Sequence, residues 1–248
     1  MKDISYFALT AACLFVVIPI WVSYRQNLGI SKEIAFSSIR ALIQMILIGY
    51  LITFIFSVET WEMLIFIILI MVLIAGKTCA RRGARFSNAF IVSVVAILGS
   101  EAASVLLWLT FDIVDFKARY IIPMSGIIIG GAMTVASLTF DRMLSEFEAT
   151  KDLIMAKLAL GASPRQSCQE LIEKTIKAAL IPNIEVMKTV GLIHMPGMMT
   201  GAIIAGASPI VAVKYQLVIL FSNMASACIT AIFTSFLSYP AFFKQKMF

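Results

Sequence analysis

Long stretches without a single Asp, Glu, Lys or Arg decide what this chain can fold into. Ile4–Tyr24, Ala41–Val58, Tyr120–Phe140, Thr189–Val213 and Tyr215–Phe243 are all free of these residues. A helix rising 1.5 Å per residue needs about 20 apolar residues to cross ~30 Å of hydrocarbon, so each run reads as a membrane span. Met63–Gly76 is shorter but follows Trp61, an aromatic residue of the type that anchors at the interface. Phe86–Phe111 joins the set if Glu101 is tolerated inside it. The reading is all-α and polytopic, a single transmembrane domain over residues 1–248. Its seven spans fall at about 4–24, 41–58, 61–76, 86–111, 120–140, 183–206 and 215–240.

Composition removes the alternatives. The 248 residues are 60% hydrophobic and 14% charged, against about 45–50% and about 25% in soluble domains. There is too little polar surface to coat a soluble globule, and too much aliphatic and aromatic content for a disordered chain. The spans leave no room for a separate catalytic domain of ~100–150 residues. A net charge of +6 would suggest nucleic acid in a soluble protein, but cations gather on the cytoplasmic side of membrane proteins anyway, and no nucleic-acid partner is expected. Cys13, Cys79, Cys168 and Cys228 lie far apart without a CxxC, so neither a disulfide framework nor a zinc site is indicated.

Orientation follows from the bases. Apart from Lys2, Lys117, Arg119 and Lys214, every Lys and Arg follows span 1, 3, 5 or 7, including seven between Arg142 and Lys188. The N-terminus is therefore expected outside a bacterial plasma membrane and the C-terminus in the cytoplasm. Leu9–Cys13 has some likeness to a lipoprotein cleavage site, but too few apolar residues precede Cys13 for a signal core of ~7–15, and an uncleaved first helix is expected.

The one sizeable polar region, 141–182, carries a helix–turn–helix pattern. Leu144, Phe147, Ile154 and Leu158 share one side of a first helix that should stop at Gly161. Ser163 suits an N-cap, Pro164 the first helical position, and Gln166 completes a Ser-x-x-Gln capping box. The second helix has a stripe of Cys168, Leu171, Ile172, Thr175, Ile176 and Ala179, with Glu170–Lys174 and Glu173–Lys177 as i,i+4 pairs, and Pro182 is expected to break it. Such a hairpin either docks on an ATPase or lies flat in the membrane interface.

Lys157-Leu-Ala-Leu-Gly161-Ala162-Ser163-Pro164-Arg165-Gln166 resembles the coupling loop of ATP-binding-cassette (ABC) permeases, without the acidic residue and Ala pair of the importer signature. The likeness extends through Ile122-Pro-Met-Ser-Gly126, Ala132-Met133 and Ile176-Lys-Ala-Ala-Leu-Ile-Pro182. It continues in Lys188-Thr-Val-Gly191, Pro196-Gly-Met-Met-Thr-Gly201, Ala205-Gly206 and Lys214-Tyr-Gln216. Over most of its length the chain is similar to the FetB-type permeases, an iron-export ABC family that includes plant aluminium-tolerance relatives. The resemblance implies a homodimer paired with a separate ATPase that binds ATP and Mg, and iron leaving the cytoplasm. His194 departs from the family's usual small polar residue, which argues against a ligand role.

No ATPase is encoded here: Gly76-Lys77-Thr78 imitates the end of a P-loop, but Met71 stands where the upstream glycine is required. Gly126 with Gly130, and Gly197 with Gly201, each put two glycines on one helix face, which suits either close helix contacts or unpartnered lipid-facing positions. Close contacts would put spans 5 and 6 at the centre of the bundle. Pro196 would free a carbonyl in span 6 and make that span a hinge or pathway element. Glu101 would cost about 2.5–3.5 kcal/mol facing lipid, so it should face the interior, as a cation relay or as a neutral hydrogen-bonded acid. Met195, Met198 and Met199 at i, i+3, i+4 are either soft metal ligands or core filler. With one His and no nucleophile–base motif, an intramembrane enzyme is disfavoured. A permease for a non-metal solute and a stand-alone channel remain as alternatives.

Overall fold

A computed structural model describes residues 11–56 and 60–243, with the side chains of 51–56 left aside. The first residues of span 1, the end of span 2, and Lys2, Lys244 and Lys246 lie outside the described residues.

Eight α-helices and no strand occur among the described residues: α1 (Leu14–Arg25), α2 (Ser31–Phe56), α3 (Trp61–Arg82), α4 (Ala89–Thr110), α5 (Ala118–Ala159), α6 (Pro164–Thr189), α7 (Gly197–Ile204) and α8 (Pro209–Ser238). A 3-10 turn, Tyr239–Phe243, follows. Five of them, α2, α3, α4, α5 and α8, are long and apolar enough to cross a membrane, while α1 is shorter. The all-α polytopic class therefore stands.

The chain divides into two compact units, 1–58 and 59–248. In the first, α1 and α2 pack side by side, joined by a turn in which Asn27 and Gly29 both take positive φ. The second is organised around α5, which packs against α3, α4, α6 and α8. Its buried side chains Ile121, Met124, Ser125, Ile128, Ile129, Ala132, Val135, Ala136, Thr139 and Phe140 recur at three- and four-residue spacing but on more than one face, as expected for a helix enclosed by neighbours. The α3 stripe is narrower, Leu64, Ile68, Val72, Ala75 and Cys79, because its other side stays exposed. Where α5 leaves the uncharged run, Phe140 and Phe147 join Phe86 and Phe242 in an aromatic cluster. Phe147 and Phe242 stack with centroids 4.1 Å apart, and Phe86 lies 5.3 Å from Phe140.

Three expectations are corrected. Pro182 does not end the second helix of the polar region: α6 runs through it to Thr189. Proline removes one helical hydrogen bond, but Ala179 before it is buried and Asn183 after it is bonded to α8, so packing holds the axis on both sides. Span 6 is not a continuous helix. After Thr189 the chain turns through Gly191 at φ +84°, resumes as the eight-residue α7 capped by Pro196, and turns again at Gly206 at φ +96°. Both positions lie in the left-handed region that costs an L side chain but not glycine. The hydrophobicity of 189–213 is real, but its glycines and prolines break the helix.

The third concerns the packing glycines. A Cβ on Gly126 would meet only Met71, and one on Gly130, Gly197 or Gly201 would meet nothing within 4 Å. The close approaches are instead at Gly76 against Val94, Gly83 against Ala89 and Phe140, Gly99 against Phe233 and Gly131 against Asn223. The centre of the bundle is accordingly α5 with α8, while α7 contributes no buried residue.

Candidate functional site

The turn between α5 and α6 is built by local chemistry at both ends. The N–H of Gly161 donates to the Leu158 carbonyl and that of Ala162 to the Lys157 carbonyl, the paired bonds of a Schellman cap. Gly161 takes φ +88° there. On the far side the Gln166 N–H donates to Ser163 Oγ at 3.4 Å and the Ser163 N–H donates to Gln166 Oε1 at 2.9 Å, completing the capping box, with Pro164 in the first turn. Few rotatable bonds are left in the turn, and its residues Leu160, Ser163, Pro164, Arg165 and Gln166 are exposed. From Asp141 to Ala159, α5 extends about 28 Å beyond its uncharged run, so the turn is carried on the polar extension of the helix.

The two arms are held together on the inside by Phe147, Ile154, Cys168, Leu171 and Ile172, all buried. Across them Lys157 reaches Glu170 at 3.7 Å, and Glu170 pairs with Lys174 at 2.9 Å. Hydrogen bonding and charge from Lys174 hold the Glu170 carboxyl below its ordinary range, and Glu170 raises Lys174 in return. Glu173 accepts a hydrogen bond from Gln169 at 3.2 Å. Burial pushes the Cys168 thiol up to about 11, against the opposing pull of Lys157. Arg165 lies 5.5 Å over the ring of Phe236 on α8. Together with Gln169, Ile172, Glu173 and Ile176 these two residues line a cavity of about 240 Å³ beside the turn.

Glu101 sits on α4, 2% exposed, with neither carboxyl oxygen in hydrogen-bond geometry. The Ser125 hydroxyl of α5 is the polar group that faces it. The methionines lie elsewhere: Met195 is 67% exposed in the loop before α7, and Met198 and Met199 are half-buried on α7. Met198 lines a cavity of about 360 Å³ with Tyr120, Ala202, Ala207, Val211, Ala212 and Tyr215, a set that does not include Glu101. Among the described residues no three His, Cys, Asp or Glu side chains converge on one point.

A polar node missing from the sequence reading ties the helices together inside the membrane-crossing region. Asn223 Nδ2 on α8 donates to Asn183 Oδ1 on α6 at 3.2 Å, and Asn223 occupies the space that a Cβ on Gly131 would need. Trp108 Nε1 on α4 donates to Ser222 Oγ at 2.8 Å one residue away. The available signal was an amide side chain within a charge-free run, since polar groups at that depth must find partners in protein.

Comparison with known proteins gives one family. Residues 6–243 match the family described as uncharacterised protein family UPF0014. The UPF0014 membrane protein YjkA of Bacillus subtilis is 36% identical over 239 residues, covering 96% of each chain. The probable iron export permease protein FetB of Escherichia coli is 33% identical over 244 residues, covering 98% of this chain and 94% of that protein. ALUMINUM SENSITIVE 3 of Arabidopsis thaliana is 34% identical over 235 residues, covering 95% and 86%. No solved structure matches.

Proposed function

This chain belongs to the uncharacterised protein family UPF0014, and from that premise we propose that it is the membrane-spanning permease subunit of an ABC transporter that exports iron or another metal ion from the cytoplasm. The observation that carries the coupling half of this reading is the Lys157–Gln166 turn. It is exposed, capped on both sides and carried on the polar extension of α5, the form needed to pass the motion of an ATPase to α5 and α6 as a rigid lever. The metal half is supported by a relative named as a probable iron export permease and aligned over nearly the whole chain. In this reading ATP and Mg are bound by the partner subunit, two copies of this chain surround one path, and the coupling turn faces the cytoplasm.

Glu101 is the bundle carboxyl proposed to meet the metal ion, with Met195, Met198 and Met199 at the break after α6 as soft contacts. Of the glycines left open within one copy, Gly197 and Gly201 are the positions proposed for contact between copies. The test is co-purification with an ABC ATPase of the same cell. Wild type should hold the ATPase through detergent extraction, and Gly161→Val should release it while still inserting. Wild type that transports without binding any ATPase would replace this reading with a stand-alone channel.

A further inference from the structure

The charge count groups Lys188 with the cytoplasmic bases although span 6 is drawn from 183, and the contacts of α6 put this residue at membrane depth. Asn183 bonds Asn223, which lies eight residues into the uncharged run Tyr215–Phe243. Asn223 in turn abuts Gly131, near the middle of the uncharged run Tyr120–Phe140. Through Asn223, the level of Gly131 on α5 thus places Asn183 close to the bilayer centre. From there Glu185 is about 3 Å and Lys188 about 7.5 Å further along the helix, both well inside a half-thickness of ~15 Å.

At this depth Glu185 and Lys188 form an ion pair, Lys188 Nζ donating to Glu185 Oε1 at 2.7 Å. Their side chains are 57% and 63% exposed. Charged groups at the bilayer centre do not face lipid; they face protein or water. The same surface of α6 carries Glu170, Lys174 and Lys177, and at 3.6 residues per turn these fall with Glu185 and Lys188 within about 80° of arc. It lies opposite the buried stripe of Cys168, Leu171, Thr175 and Ala179. The charged face therefore runs from near the coupling turn to the bilayer centre, as the wall of an aqueous path would.

We infer that Glu185 is a cation-exchange point in that path, where a divalent metal ion in transit displaces the ammonium of Lys188 from the carboxylate. The inference rests on the metal-export reading above and adds the place where the ion is held. An internal lysine keeps the carboxylate neutralised when no ion is present, and its competition keeps binding weak enough for release. The two residues then have opposite signatures. Removing Glu185 weakens the response to metal, whereas removing Lys188 strengthens it, an effect that a purely structural ion pair does not produce.

The experiment uses the permease–ATPase complex in proteoliposomes with Fe²⁺ alone as the probe. Lys188→Gln should lower the Fe²⁺ concentration for half-maximal ATPase stimulation about 10-fold, and Glu185→Gln should raise it at least 10-fold, with basal hydrolysis and assembly retained. In a Cys13→Ser, Cys228→Ser background, Glu185→Cys should react with a charged, membrane-impermeant methanethiosulfonate reagent. Loss of labelling at Glu185→Cys overturns the aqueous path. Wild-type stimulation that persists unchanged in Glu185→Gln overturns this site alone. No response of wild type to Fe²⁺, Mn²⁺ or Zn²⁺ overturns the site together with the metal reading.

Discussion

The Asn223 amide donates to Asn183 Oδ1 over 3.2 Å and joins α8 to α6 at the level of Gly131 on α5. Three helices meet here because one position is glycine and two are amides. Interhelical hydrogen bonds of this kind are worth about 0.6 kcal/mol on average and up to ~1.7 kcal/mol in membrane proteins. Asn183→Ala should therefore cost in that range and loosen α6 against α8.

Neighbouring glycines on α5 should respond in opposite ways. A methyl on Gly131 lands on the Asn223 side chain, whereas one on Gly130 meets nothing within 4 Å. Gly131→Ala is expected to destabilise by about 1–3 kcal/mol through overpacking, and Gly130→Ala to be neutral or up to ~1 kcal/mol stabilising through helix propensity. Thermal unfolding in detergent, read by loss of monodisperse protein, separates them. Equal losses at both would contradict the packing described.

At the coupling turn, Gly161→Val places a β-branched residue at φ +88°, which costs of order 1–3 kcal/mol, and Ser163→Ala removes a cap worth about 1 kcal/mol. Both should insert normally, with ATPase stimulation reduced more by Gly161→Val. Full stimulation by both variants would remove the turn from the coupling path.

Cys168 predicts a pH dependence with a definite sign. Its thiol titrates near 9.0 when unperturbed and at about 11 when buried in the hairpin, so the fold holds the proton more tightly than the unfolded chain. Stability from this group is complete below pH 9 and declines as pH rises from 9 towards 11. Alkylation of Cys168 by iodoacetamide at pH 8 should be at least ~10-fold slower in the folded protein than in the denatured chain, and a Cys168→Ala variant should flatten the alkaline decline.

The aromatic cluster at the end of α5 should be the most sensitive packing site outside the apolar spans. Phe242 is fully buried, stacked on Phe147 and edge-on to Phe86 at 5.4 Å, so Phe242→Ala should cost about 3–5 kcal/mol. Phe236 is 37% exposed, so Phe236→Ala loses less packing together with the contact to Arg165, itself about 0.5–1 kcal/mol. Denaturant titration of the two variants checks the ranking.

What could be read from the sequence was whatever short-range chemistry decides. The stop at Gly161 and the start at Pro164 depend on groups within a few residues, and the side chains that build both caps are visible in the letters. Helix length was less legible: α2 begins at Ser31, ten residues before its apolar run, because Lys32, Glu33 and Arg40 are good helix surface but poor membrane sequence. The same bias started the uncharged run only at Thr189 and left out Glu185 and Lys188, whose depth is set by Asn183 meeting Asn223, forty positions away. The paired glycines identified a face without saying what faced it. On α5 it was Gly131, in no spaced pair, that met its neighbour most closely.

The most direct measurement is ATP-driven Fe²⁺ accumulation in inverted vesicles containing this permease and its ATPase. Accumulation is expected only with ATP and both subunits, and should be lost when Gly161→Val replaces wild type. Fe²⁺ entry that is independent of ATP or of the ATPase, or no entry under any condition, would contradict an ATP-coupled metal permease.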